Sequence, residues 1–171
     1  GLQASTAAVT AALTLSVLSA AAAAIPVGRW LDRHGGHGLM TGGSILGTAA
    51  VVAWSQIHSL VWLYGVFVVI GLASAMVLYE AAFAVILAVH TVKQRPHALL
   101  AVTVVAGFAS SIFIPLTGAL TDCYGWRTAV LILAGIHGAL TVPLHATGLR
   151  SARPRREAAS PADSSQVRQR A

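Results

Sequence analysis

Charge is what this sequence has least of. Only 9% of its 171 residues are Asp, Glu, Lys or Arg, while 56% are hydrophobic. A soluble domain carries about a quarter charged residues, so a water-soluble core is excluded. Cysteine is almost absent too: Cys123 stands alone, which excludes an intramolecular disulfide. Also missing are a His/Glu metal cluster, a Ser/His pair and a Gly-rich phosphate loop. Neither an enzyme nor a cofactor is therefore expected, and no metal site either. The chain starts at Gly1 with no basic segment, so no secretory signal is expected there.

What is present is long apolar blocks, with a mean hydropathy of +0.75. About 20 apolar residues cross the hydrocarbon core of a bilayer. The blocks predict spans at 4–26, 38–57, 61–89, 98–120 and 126–148, joined by short gaps that hold most of the charge. The expected fold class is all-α: a polytopic helical membrane protein with five transmembrane helices in a bundle over 1–149. The lipid bilayer is its first partner.

The formal net charge of +6 is not a sign of nucleic-acid binding. Arg150, Arg153, Arg155, Arg156, Arg168 and Arg170 all follow the last apolar block. Residues 150–171 have no aromatic residue for stacking on bases and too little apolar surface to fold alone. They read as a disordered basic tail or linker, with a capacity for anionic headgroups. Arg29 and Arg33 mark the 28–37 loop, Lys93 and Arg95 the 90–97 loop, and the 56–60 loop has no Lys or Arg. The positive-inside rule then puts 28–37, 90–97 and the tail in the cytoplasm of a protein in the cell membrane. Trp54, Trp62, Tyr64, Tyr124 and Trp126 are expected at the outer interface. The first span then enters from outside, so a fragment, or a mis-started frame, lacking one preceding helix is expected.

The most specific motif lies in the first loop, where Gly28, Asp32, Arg33 and Gly35 form Gly-x-x-x-Asp-Arg-x-Gly. A weaker copy follows at Gly118, Asp122 and Gly125, with Arg127 just after. The offset is 90 at each matched position: 28 to 118, 32 to 122, 35 to 125. Such an echo in a membrane protein points to structural repeats of the kind secondary transporters use. The glycines permit tight turns. Asp32 suits the N–H groups at a helix N-terminus, and Arg33 suits a carboxylate or lipid phosphate. A purely topological role for these charges is the other reading.

Glu80 is the sharpest site candidate. It interrupts an uncharged run from Ser59 to Val89, at an insertion cost of about 2.5–3.5 kcal/mol near a helix centre. It reads either as a carboxyl that exchanges protons or as a neutral carboxyl bonded to a neighbouring helix. Tyr79 points about 100° away from it on a helix. His34 and His37 share a loop with no third ligand. His137 reads as a packing or hydrogen-bonding residue, or as one lining a pathway. Pro115 is expected to kink its span, and Gly43-x-x-x-Gly47 and Gly71-x-x-x-Ala75 to let helices approach closely.

With these residues in place, the first loop resembles the one between the second and third helices of the major facilitator superfamily. That motif reads Gly-x-x-x-Asp-Arg/Lys-x-Gly-Arg/Lys-Arg/Lys. Gly28, Asp32, Arg33 and Gly35 match it, while Gly36 and His37 replace its last two basic residues. The stretch from Pro115 to Gly118 and on through Gly125-Trp126-Arg127 is similar to the family's fifth helix, outer loop and sixth helix. The stretch from Tyr79 to Val85 is similar to its fourth. Ile114 and Ala119 stand where an antiporter motif has Gly, so antiport is not inferred.

The resemblance covers about 5–150. It implies a major-facilitator-like fold with inverted repeats, in which the five spans are helices two to six of a twelve-helix transporter. Helix one and the C-terminal half would be the missing partners, and the tail would begin the central loop. It further implies that the first loop latches the two halves at the cytoplasmic side, and that Glu80 lies near the central cavity. The expected function is part of a secondary active transporter that moves a small solute by alternating access with proton coupling, its substrate unknown. A non-transporting membrane scaffold, partner subunit or inactive truncated product is the alternative.

Overall fold

Ser5 opens the first helix by accepting a hydrogen bond from the Ala8 backbone N–H at 3.2 Å, as an N-cap hydroxyl does. From there a computed structural model describes residues 5–77, 82–83, 85–87 and 90–148. Among the described residues the long helices are α1 (Thr6–His34), α2 (Gly36–Ser55), α3 (Leu60–Val77), α4 (Arg95–Tyr124) and α5 (Trp126–Gly148), and residues 82–83 and 85–87 are helical as well. All five are long and apolar enough to cross a membrane, and there is no strand among the described residues. The protein is thus all-helical and polytopic. Residues 150–171, Tyr79 and Glu80 lie outside the described residues.

The boundaries differ from the sequence reading at the 28–37, 90–97 and 121–127 connections, where helix continues into the expected loops, and the far end of the expected 61–89 span falls partly outside the described residues. The 28–37 segment is not a loop. α1 continues through Gly28, Arg29, Asp32 and Arg33, and the whole connection to α2 is Gly35. The 121–127 connection is likewise Gly125 alone. α1 has 29 residues and α4 has 30, so each is about 45 Å long at 1.5 Å per residue. A hydrocarbon core is about 30 Å thick. The charged ends are therefore helical extensions beyond the apolar stretch. Leu31, Asp32 and Arg33 do not break a helix, and only the glycine that follows ends it.

α1 packs chiefly on α3, α2 on both α3 and α5, and α4 on α5, while contact between α1 and α2 is slight. Small residues set these crossings. Gly71 of α3 sits against the Ser16 carbonyl and the Ser19 hydroxyl of α1, leaving no room for a Cβ. Ser19 Oγ is 3.2 Å from the Val68 carbonyl. A Cβ on Gly43 would stand 2.7 Å from the Met76 Cβ, so α2 and α3 also meet at a glycine. Ala12, Ile57, Leu63 and Phe67 form a buried cluster at one end of the bundle. Trp54 packs against it, its ring edge-on to Phe67 at 5.3 Å. α4 has no buried residue, and Pro115 lies within its continuous helix.

Candidate functional site

The motif glycines fall into two structural kinds. Gly35 has φ 78° and ψ 173°, and Gly125 has φ 75° and ψ 157°. Both lie in the positive-φ region that favours glycine. Each donates its N–H to the carbonyl four residues back, Gly35 to Leu31 and Gly125 to Thr121, both at 2.9 Å. Gly28 and Gly118 are ordinary helical residues with open space beside them. The echo is therefore structural as well as sequential. The second helix of each pair starts one residue after its turn, at Gly36 and at Trp126.

Asp32, Arg33 and Asp122 are exposed. No side chain caps the N-terminus of α2, so Asp32 does not close the helix next to it and its carboxylate faces outward. On the same terminal turn Trp30 stacks on His34, with ring centroids 4.5 Å apart.

The polar interactions between helices gather along the seam of α2 and α5. At one end Arg127 donates to the carbonyls of Ser55 and of Ile57, the latter at 2.9 Å, where α2 terminates. Its guanidinium also lies 4.6 Å from the Trp126 ring centroid. A cation at a helix C-terminus meets the negative end of the dipole. At the other end His37 Nε2 is 2.8 Å from the Ala146 carbonyl, in the last turn of α5. Between these clips Ser44 Oγ is 2.6 Å from His145 Nδ1, and Thr48 Oγ1 is 2.9 Å from His137 Nδ1.

One recess borders this seam and a second lies between α2 and α3. A cleft of about 150 Å³ opens between α2, α3 and α5, lined by Gly43, Gly47, Ala73, Ser74, Val77 and His137 among others. A wider groove of about 550 Å³ runs between α2 and α3 near Trp62, and no lining side chain there is ionisable.

The structure thus lines Arg127, His137, His145 and His37 along one seam, with Arg127 and His37 at its opposite ends; the sequence reading had named Arg127, His37 and His137 but not as one seam. It places the Gly28–Gly35 motif and the Gly118–Gly125 copy at separate one-residue turns. The seam had a sequence signal in Ser44 and Thr48, four residues apart in an apolar helix, and in His137 and His145 in another. The residue types alone do not say that those two faces meet.

A family model described as Major Facilitator Superfamily matches residues 1–170. No curated protein and no solved structure matches the chain significantly.

Proposed function

The chain belongs to the major facilitator superfamily of transporters, and from that premise we propose that it forms part of a proton-coupled secondary transporter that moves a small solute by alternating access. The observation that carries this reading is the 90-residue echo, now seen as two matching positive-φ turns at Gly35 and Gly125. Paired structural repeats rocking around a central site are how such proteins alternate access.

In this reading the five helices are helices two to six, and the partners are helix one and the C-terminal half of the same transporter. The protein sits in the cell membrane with the tail in the cytoplasm. Asp32 and Arg33 form the cytoplasmic latch. The exposure of both side chains, and an α2 N-terminus that Asp32 does not cap, support a partner outside this chain. Glu80 is the coupling carboxyl, argued from its lone charge in an apolar run. Gradient-driven and counterflow uptake in proteoliposomes, with Glu80→Gln in the full-length parent, tests it. Loss of driven uptake with exchange retained is the expected result. Wild-type behaviour in both assays would refute the assignment.

A further inference from the structure

We propose that His137 is a proton-binding residue, served by water in the cleft between α2, α3 and α5. The inference stands whether or not the transport reading does.

The argument begins with hydroxyl protons. A threonine hydroxyl has one proton to give and two lone pairs. Thr48 Oγ1 donates to the Ser44 carbonyl at 2.8 Å, which leaves its lone pairs for His137 Nδ1 at 2.9 Å. The imidazole is then the donor, through Nδ1–H. Ser44 repeats the arrangement: it donates to the Met40 carbonyl at 2.9 Å and receives His145 Nδ1 at 2.6 Å. With Nδ1 holding a proton, Nε2 of a neutral ring carries the basic lone pair.

The cleft beside the ring is where water would meet that lone pair. His137 lines it, and the ring's Cε1 would lie 3.6 Å from a Cβ on Gly47. A volume of about 150 Å³ corresponds to about five waters at roughly 30 Å³ each. Ser74, on the opposite wall, offers a hydroxyl with no protein partner among the described residues.

Among the described residues, the surroundings hold no counter-charge. The residues that α2 turns to this site are Gly43, Gly47, Thr48 and Val51, and those of α3 are Ile70, Ala73, Ser74 and Val77; none is ionisable. On α5 the nearest titratable group along the helix is His145, two turns away. α4, which packs on α5, has ionisable side chains only in its terminal turns: Arg95, His97, Asp122, Cys123 and Tyr124. Glu80 lies outside the described residues. An ionisable side chain inside an apolar span is a functional-site hypothesis by default.

The step is a simple transfer. A hydrated proton in the cleft passes to the Nε2 lone pair, leaving water behind, and the ring becomes imidazolium with Nδ1–H unchanged. The bond to Thr48 persists and becomes charge-assisted, so the seam stays closed in both states.

The test uses the 171-residue chain in lipid nanodiscs with ¹⁵N-labelled histidine. The His137 resonance is identified by its loss in His137→Gln. Should that variant fail to insert, Thr48→Val, which keeps the ring, picks out the same resonance by shifting it. The expected result is a neutral Nδ1–H tautomer at high pH that turns to imidazolium as the pH is lowered. Thr48→Val should remove the tautomer preference. Ser74→Cys, in a Cys123→Ser background, should react with a small water-soluble methanethiosulfonate, while Ala12→Cys in the packed core should not. A ring that stays neutral throughout, an Nε2–H tautomer at the outset, or an inert Ser74→Cys would overturn the proposal.

Discussion

His37 and Arg127 do the same work at opposite ends of one helix pair. They stand 90 residues apart (127 − 90 = 37), each is the second residue of its helix, and each binds carbonyls at the end of the other's helix. His37 reaches Ala146, and Arg127 reaches Ser55 and Ile57. The position where the family motif has a basic residue is thus occupied by a side chain that still donates a hydrogen bond, but inward, to α5. Charge has been lost there, and a clip on the neighbouring helix is present.

The clips are unequal in strength. Arg127→Gln should cost about 1.5–3 kcal/mol, the range for hydrogen bonds to a charged group, and His37→Ala about 1 kcal/mol. Reversible unfolding in mixed micelles measures both. If Arg127→Gln proved the milder change, the clip at that end would be ornamental.

The four motif glycines should separate into two classes. Gly35→Ala and Gly125→Ala each force a Cβ into a positive-φ, extended-ψ conformation that is essentially glycine's alone, and should destabilise by about 1–3 kcal/mol. Gly28→Ala and Gly118→Ala lie in helices with nothing within 4 Å. They should be neutral or stabilising, since Ala exceeds Gly in helix propensity by up to about 1 kcal/mol. Melting temperatures of the four variants in one detergent decide it. Four equal losses would contradict the turn assignment.

The alternation of Lys and Arg predicts sidedness. Cysteines at His58 and Tyr124, in a chain without Cys123, should react with an impermeant thiol reagent from outside. Cysteines at His34 and Gln94 should react only after permeabilisation. All of these side chains are exposed, so burial cannot mask the outcome. The opposite labelling pattern would place the proposed latch on the wrong face.

At that face, Asp32→Asn in the full-length parent should impair transport more than Arg29→Gln. Asp32 supplies an anion for a helix N-terminus, and the structure leaves it unused by α2. Arg29, on the same helical extension, serves topology in this reading. Equal, mild effects at normal expression would reduce the motif to a topology signal.

The apolar blocks gave away the five helices because a bilayer sets their length and composition. They could not show how far each helix continues past the lipid, since Arg29 to His34 are compatible with helix and only Gly35 enforces the stop. The seam was harder to read, because its partners are distant in sequence and depend on which faces meet. Yet the offset of 90 already contained part of the answer. It pairs Gly47 with His137 and Thr48 with Gly138. In the structure these four meet crosswise: a Cβ on Gly47 would lie 3.6 Å from the His137 ring, and one on Gly138 would lie 2.8 Å from Thr48 Cγ2. In each repeat a glycine makes room for the larger side chain of the other. Glu80 was legible as an anomaly of charge, which needs no partner to be noticed.

The one-residue turns have a mechanical side. A connection with a single residue contains no slack, so neither α1 and α2 nor α4 and α5 can slide past one another at that end. Each pair is a bent lever with its elbow at a glycine. Torque applied to the charged end of α1 would be delivered at once to α2, and from α2, through the clips at His37 and Arg127, to the elbow of the second lever.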